Sequence, residues 1–197
     1  MSQPPPPFRT RELSPDTWSD FAKLFAKHGG VQAGCWCMFY HRPGPLRPAA
    51  GSRLDWASRN RSDKRALVRR GSSQGILVYA GDRPVGSCQY GLKQELPRID
   101  AGRNYRKLDL PDEPGRLWRI TCFFVDRDYR RQGIAQIALR AALESIRRRG
   151  GGIVEAYPVT NWKAVPTWFG SVGMFEGEGF RKIAALGRST LVMRRAL

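Results

Sequence analysis

From Leu117 to Pro158 the chain reads LWRITCFFVDRDYRRQGIAQIALRAALESIRRRGGGIVEAYP. An apolar run, a short basic turn, a long amphipathic run and a second apolar run follow without a break. LWRITCFFVD is apolar enough to be a central strand. At about 100° per residue, Gln136, Arg140, Glu144 and Arg147 fall on one narrow arc, and Ile134, Ile137, Ala138, Ala141, Ala142, Leu143 and Ile146 take the rest. One face meets water and a broad face meets a sheet. Strand, helix and strand therefore form a crossover with parallel strands, and the chain belongs among α/β folds.

The turn RRQGIA sits where the helix begins. A helix N-terminus offers unpaired N–H groups and the positive end of its dipole. Gly133 lets the backbone come close to a ligand, and Ala135 keeps the first turn low. The amides of Arg131, Gln132, Gly133, Ile134 and Ala135 can converge on an anion, with Arg130 and Arg131 adding charge. A plain basic loop has the same composition. No GK[ST] follows, so it is not a P-loop, and GxGxxG is absent, so it is not the dinucleotide fingerprint.

Met1 to Pro7 reads as a disordered, proline-rich tail, and residues 8–197 as a single domain. FRTREL is a candidate first strand. SPDTWSDFAKLFAKHGG predicts a helix capped by Ser14, with Trp18, Phe21, Leu24 and Phe25 on one face and Gly29 and Gly30 as the stop. AGCWCMFYH is a short apolar run, RPGPLRPAAGSRLDW a loop and RNRSDKRALVRRG a basic helix. GILVYAGDRPVGSCQYGL predicts a hairpin. The stretch from Lys93 to Gly115 has no sustained period and reads as a substrate-covering flap or a surface excursion. VPTWFGSVGMFEGEGF reads as a loop and short helix, and RKIAAL with TLVMRRAL as a terminal strand pair.

Of the 197 residues, 41% are hydrophobic, enough to fill one core. No apolar run is long enough to span a membrane, and the N-terminus has no apolar signal core, so a cytoplasmic location is the expectation. The four cysteines, Cys35, Cys37, Cys88 and Cys122, are expected as free thiols. The formal charge is +17, from 34 basic and 17 acidic residues. Such a charge attracts polyanions, but the arginines are scattered rather than gathered in one tract, which does not favour a nucleic-acid role.

VDRDYRRQGIAQIALRAALESIRRRG resembles the acyl-CoA-binding motif of the GNAT superfamily of N-acetyltransferases: Arg or Gln, two residues, Gly, one residue, then Gly or Ala. Arg130, Gly133 and Ala135 match it. GMFEGEGF, with Gly179 and Phe180, resembles a later family segment, and segments similar to GCWCM occur in bacterial members. The resemblance implies a mixed, strongly twisted sheet of six or seven strands flanked by helices, with the fourth and fifth strands splayed. It implies acetyl-CoA as co-substrate, its pantetheine arm pairing with the backbone of Phe123, Phe124 and Val125, and its pyrophosphate on the turn from Arg130 to Ala135. It also implies direct attack of a neutral amine on the thioester, a base for the amine proton, an acid for the leaving thiolate and a strand amide that polarises the carbonyl. Members are often dimers, so a homodimer stays open.

The chain departs from the family where a tyrosine commonly protonates the CoA sulfur. Phe175 stands there and has no proton to give. Ser171, Tyr157, Cys122 or a water are the candidate acids. Asn161 is a loose match to a family asparagine. For the base, Glu155 comes first, against a plain ion pair with an arginine, and Tyr157 second. Three readings compete for GCWCMFYH: a buried strand with small thiols, a substrate-pocket wall formed by Cys35, Trp36 and Cys37, and a zinc site from His28, Cys35, Cys37 and His41. CxC is tighter than the usual zinc pairs, and no metal is assigned.

The leading function is acetyl-CoA-dependent N-acetylation of a primary amine on a small molecule. A basic protein of this kind suits an anionic acceptor better than a polycationic one. The alternatives are a GNAT protein that binds RNA or aminoacyl-tRNA through its basic helix, which would show steep salt dependence, and a non-catalytic acyl-CoA binder, suggested by Phe175.

Overall fold

The computed structural model describes residues 8–31, 34–43, 53–111, 115–161 and 168–197. The proline-rich tail lies outside the described residues, as do residues 32–33, 44–52, 112–114 and 162–167.

Seven strands form one mixed sheet in the order β1-β2-β3-β4-β5-β7-β6. They are β1 Phe8–Glu12, β2 Gln74–Ala80, β3 Arg83–Leu92, β4 Leu117–Val125, β5 Ile153–Ala156, β6 Arg181–Leu186 and β7 Thr190–Ala196. β4 and β5 pair in parallel and the other neighbours antiparallel. The crossover helix α4, Ile134–Arg148, covers one face. Its Ala138, Leu139, Ala142, Leu143 and Ile146 join Ile76, Val78, Tyr90, Ile120 and Val154 in the main core. The opposite face carries α1, Trp18–Ala26, whose Trp18, Phe21, Leu24 and Phe25 pack on Leu77 and Tyr79. β2 thus sends alternate residues into two cores, which is why it reads as a continuous apolar run rather than an alternation.

β4 and β5 part company for local reasons. Gln89 opposes Cys122 and Tyr90 opposes Ile120, which leaves Thr121 unopposed as a β-bulge. Bulges bend a strand and end its pairing on one side. On β5 the ladder stops at Ala156 opposite Ile120, and Pro158, two residues on, has no N–H to extend it. Residues 121–125 therefore run on as strand without a β5 partner.

The sequence reading needs correction between α1 and β2. AGCWCMFYH is not a strand: residues 34–37 are a turn, with Trp36 and Cys37 at φ 50 and 56, and Phe39–His41 is one turn of 3-10 helix. Cys35 and Cys37 therefore do not share a strand face. The basic helix α2 begins at Arg53, inside the expected loop, and runs to Arg69. Ser14 caps a 3-10 turn, Pro15–Thr17, that precedes α1. The aperiodic stretch after β3 contains a 3-10 turn at Lys93–Glu95, the short helix α3, Arg98–Ala101, and a second 3-10 turn at Tyr105–Lys107. It packs on β4 and β5 through Arg119 and Glu155, so it is a cover rather than an excursion. The last short helix, α5, is Val172–Glu176. Among the described residues no helix is long and apolar enough to cross a membrane.

Candidate active site at the splayed strands

Where β4 ends, Asp126 is 1% exposed and is held by Lys27 Nζ at 2.8 and 2.9 Å, with His28 Nε2 3.5 Å away. Burial alone would raise its pKa, but the Lys27 ammonium outweighs burial and keeps the carboxyl below the usual range. Lys27 also binds Asp128 at 2.8 Å. The C-terminal end of α1 is thereby stapled to the loop that leads into α4.

That loop turns left-handed twice. Arg131 has φ 62 and Gly133 φ 75, with α4 starting at Ile134. Alternating backbone of this kind turns successive N–H groups toward one concavity, and the first-turn amides of α4 lie beside it without intrahelical partners. Ile134 is 2% exposed and anchors the helix end in the core. It fits because Gly86 lacks a side chain: a Cβ there would come 2.4 Å from Ile134 Cγ2. Arg130, Arg131, Gln132 and Gly133 are exposed and Ala135 half-buried. A Cβ on Gly133 would meet nothing within 4 Å, so the space before the helix is open. The site fits a pyrophosphate: amides, a dipole end, two guanidiniums and room.

In the splay, the Phe123 N–H donates to the carbonyl of Trp168 at 2.6 Å. The Phe123 ring is buried against Phe175, with centroids 6.1 Å apart, and Phe175 packs on Phe180 at 5.1 Å. Phe124 points to the other face, against Phe25 and His28, and Val125 is half-buried. Ser171 caps α5, its Oγ accepting from the Met174 N–H at 3.3 Å. It lies four residues before Phe175, hence on the same side of that turn. Asn161 is exposed at the rim of the segment after β5.

Glu155 is fully buried. Its carboxylate accepts from Arg194 Nε at 2.8 Å, from the Tyr105 hydroxyl at 2.8 Å and from the Tyr157 hydroxyl, with Arg119 Nε 3.7 Å away. Arg119 is itself buried and forks onto Asp100 at 2.6 and 2.8 Å. Burial first, and the Glu155 charge second, push the Tyr157 phenol well above its ordinary value, so it stays protonated.

The third group lies under Cys122. α2 grips both ends of the GCWCMFYH segment: Asn60 Nδ2 donates to the Gly34 carbonyl at 2.8 Å, and Arg42 Nη1 donates to Asn60 Oδ1 at 2.8 Å. Trp36 is buried against Phe21 and Phe25, with Arg61 over its ring. Lys64, 1% exposed, donates to Ser73 Oγ at 2.6 Å and lies 3.4 Å from His41 Nε2. His41 contacts the Glu95 carbonyl through Nδ1 at 2.8 Å, so Nε2 is the acceptor for Gln89 Nε2 at 2.8 Å. Burial, then the charge of Lys64, lower the His41 pKa to about 3. Cys37 Sγ is 3.8 Å from Cys122 Sγ, and Cys35 is half-buried nearby; all four cysteines are free. His28 and His41 lie apart: His41 bonds Gln89, whereas His28 Nε2 is buried 3.5 Å from Asp126 without a hydrogen bond among the described residues.

The structure therefore brings Arg131 to Ala135 together at one end of the splay. Phe123, Ser171 and Phe175 lie within it, and Glu155 and Tyr157 form a separate polar knot. Sequence reasoning missed Lys64, Arg119 and the contact from Trp168. Lys64 had a signal: Asn60, Lys64 and Val68 recur every four residues as a buried stripe on an otherwise polar helix.

The sequence matches the acetyltransferase (GNAT) family over residues 36–166. No curated protein sequence matches. Among solved structures, NAA60 of Arabidopsis thaliana in complex with acetyl-CoA is similar at TM-score 0.54 and 16% identity, covering 97% of this chain and 100% of that one. The PaiA N-acetyltransferase of Thermoplasma acidophilum in complex with coenzyme A aligns at TM-score 0.52 and 14% identity, over 97% and 99%. The ribosomal-protein-S5-alanine acetyltransferase of Vibrio fischeri aligns at 0.52 and 12%, over 96% and 92%. At such identities the likeness is one of fold.

Proposed function

The chain belongs to the acetyltransferase (GNAT) family and is an acyltransferase with acetyl-CoA as co-substrate, and from that premise we propose that it acetylates a primary amine on a small, anionic molecule. The observation that carries the reading is the doubly left-handed turn at Arg131 and Gly133, opening on the end of a strand that has parted from its neighbour.

The turn holds the pyrophosphate, and the backbone of Phe123, Phe124 and Val125 aligns the pantetheine arm. A strand amide in this stretch polarises the thioester carbonyl as the amine attacks. Tyr157 receives the amine proton while passing its own to Glu155, which its hydroxyl already contacts. The Glu155 oxygens are already occupied by Arg194, Tyr105 and Tyr157, so the carboxylate acts through Tyr157 rather than on the amine directly. Ser171, at the start of α5, supplies the proton to the leaving thiolate in place of Phe175. Of Cys35, Trp36 and Cys37, only the half-buried Cys35 is open enough to touch an acceptor, because Trp36 and Cys37 are buried in the core under α1.

An anionic acceptor is supported by the charges around a cavity beside the Leu117 end of β4. This cavity of about 410 Å³ is lined by Lys93, Tyr105, Arg106 and Arg194; among the described residues its one lining carboxylate, Asp100, is already paired with Lys93 and Arg119, and Arg194 is paired with the buried Glu155. The experiment is CoA-thiol release from acetyl-CoA across acidic, neutral and polycationic small amines, with a peptide bearing a free N-terminus included. Acidic amines turning over fastest bear out the proposal. Preference for a polycation or for the peptide would overturn the acceptor class, and no turnover with any amine would favour a non-catalytic binder.

RNA binding remains a second reading because Arg61, Arg65 and Arg69 form an exposed row on α2. Tight binding that falls steeply with salt would support it.

A further inference from the structure

We propose that Cys37 and Cys122 are a redox-reactive dithiol that closes to a disulfide when a peroxide reaches it. This goes beyond acetyl transfer, and it is read on the thiols alone.

The two sulfurs come from residues 85 apart in sequence and lie 3.8 Å apart. A disulfide needs about 2.05 Å, so closure asks for a combined movement of about 1.8 Å, within the reach of side-chain rotation and a small loop shift. The loop is built to present this thiol. Trp36 and Cys37 both adopt left-handed φ, 50 and 56, which L residues rarely do. The indole of Trp36, packed by Phe21 and Phe25, holds them there. The result is that Cys37 turns inward to β4, 7% exposed, while Cys35 stays half-exposed. Cys88 belongs to the core on the α4 side of the sheet, and among the described residues no contact of its sulfur with Cys37 or Cys122 matches the 3.8 Å pair.

The surroundings favour reactivity. The hydrogen bond shared with Cys122, and then the nearby Lys64, hold the Cys37 thiol below its usual value against the effect of burial. Thiolates are the reactive form. The near-closure of the site selects a small oxidant. The Cys37 thiolate attacks the peroxide O–O bond, forming a sulfenic acid and releasing water. The Cys122 sulfur then attacks the sulfenic sulfur, and a second water leaves as the S–S bond forms. Two thiols lose two protons and two electrons, and one hydrogen peroxide becomes two waters. The new bond would tie the α1–α2 loop to β4 at the residue before Phe123.

The full chain is treated with hydrogen peroxide, quenched, unfolded, alkylated and mapped by mass spectrometry. The expected product has lost two of its four alkylatable thiols and the mass of two hydrogens, carries one cross-link between the Cys37 and Cys122 peptides, and reverts with dithiothreitol. Cys35→Ser and Cys88→Ser keep the product, and Cys37→Ser and Cys122→Ser lack it. Four thiols still alkylatable, a cross-link through Cys35 or Cys88, or a sulfinic acid on Cys37 as the first product would overturn the proposal. The wild-type map decides the matter even where a serine variant does not fold.

Discussion

The N–H of Phe123 donates to the carbonyl of Trp168 at 2.6 Å, across the gap that opens when β4 leaves β5. An amide on this edge of β4 is what a donor thioester or pantetheine arm would use. The protein's own chain thus satisfies a group that would otherwise stand unpaired next to a buried ring. Donor binding should displace the Trp168 carbonyl and shift the indole. Titration with acetyl-CoA is expected to change tryptophan fluorescence in the wild type and to lose most of that change in Trp168→Phe. An undiminished change in the variant would mean that the segment stays in place.

Arg131 is left-handed without being glycine. A side chain in that region costs of order 1–2 kcal/mol. Arg131→Gly should therefore raise unfolding stability by about 1 kcal/mol while weakening acetyl-CoA binding severalfold through loss of one cation. Urea denaturation and calorimetry read the two effects separately. A variant less stable than wild type would show that the arginine stem packs and the strain is compensated.

Tyr157 and Glu155 should separate in their phenotypes. Tyr157→Phe removes only the hydroxyl, and a proton-relay role predicts a fall in kcat of about 10²-fold or more, with little change in acetyl-CoA affinity. Glu155→Gln leaves Arg194 and Arg119 without their shared carboxylate, and breaking a buried pair costs about 3–5 kcal/mol. Its main effect should appear in thermal or urea unfolding. If Tyr157→Phe turns over at the wild-type rate, the relay is elsewhere.

Stability should also depend on pH through His41. Its pKa falls from 6.5 to about 3 in the folded state, by burial first and then by Lys64. The unfolded chain binds a proton below pH 6.5 that the folded one refuses. Stability from this group is full above that pH and is lost as pH falls toward 3, by up to about 1.4 kcal/mol per unit. Urea midpoints at pH 7 and pH 5 should differ in the wild type, and His41→Gln should flatten the difference. An unchanged slope in the variant would assign it to other groups.

Much of this was legible in the residues, and the limits have physical causes. The period of α4 and the composition of RRQGIA were local, so the crossover and the turn could be read directly. The terminal pair β6 and β7 could be read, but the placement of β7 between β5 and β6 depends on non-local pairing. The GCWCMFYH segment read as a strand because apolar residues at short range carry no mark of handedness. Only packing of Trp36 between two α1 phenylalanines forces Cys37 left-handed. Glu155 could be placed on β5, but its arginine and tyrosine partners come from β7 and the cover after β3, 39 and 50 residues away. The Thr121 bulge leaves no trace in the sequence, because it is a mismatch in count between two strands.

We propose that the turn before α4 cradles the pyrophosphate of acetyl-CoA. Gly133→Asp tests it most directly. Aspartate tolerates left-handed φ better than most residues, and a Cβ there meets nothing within 4 Å, so the fold should survive while a negative charge enters the cradle. Calorimetry of acetyl-CoA binding should show a clear heat for the wild type and none, or affinity reduced at least tenfold, for the folded variant. Equal binding by both, or binding by neither, would contradict the account.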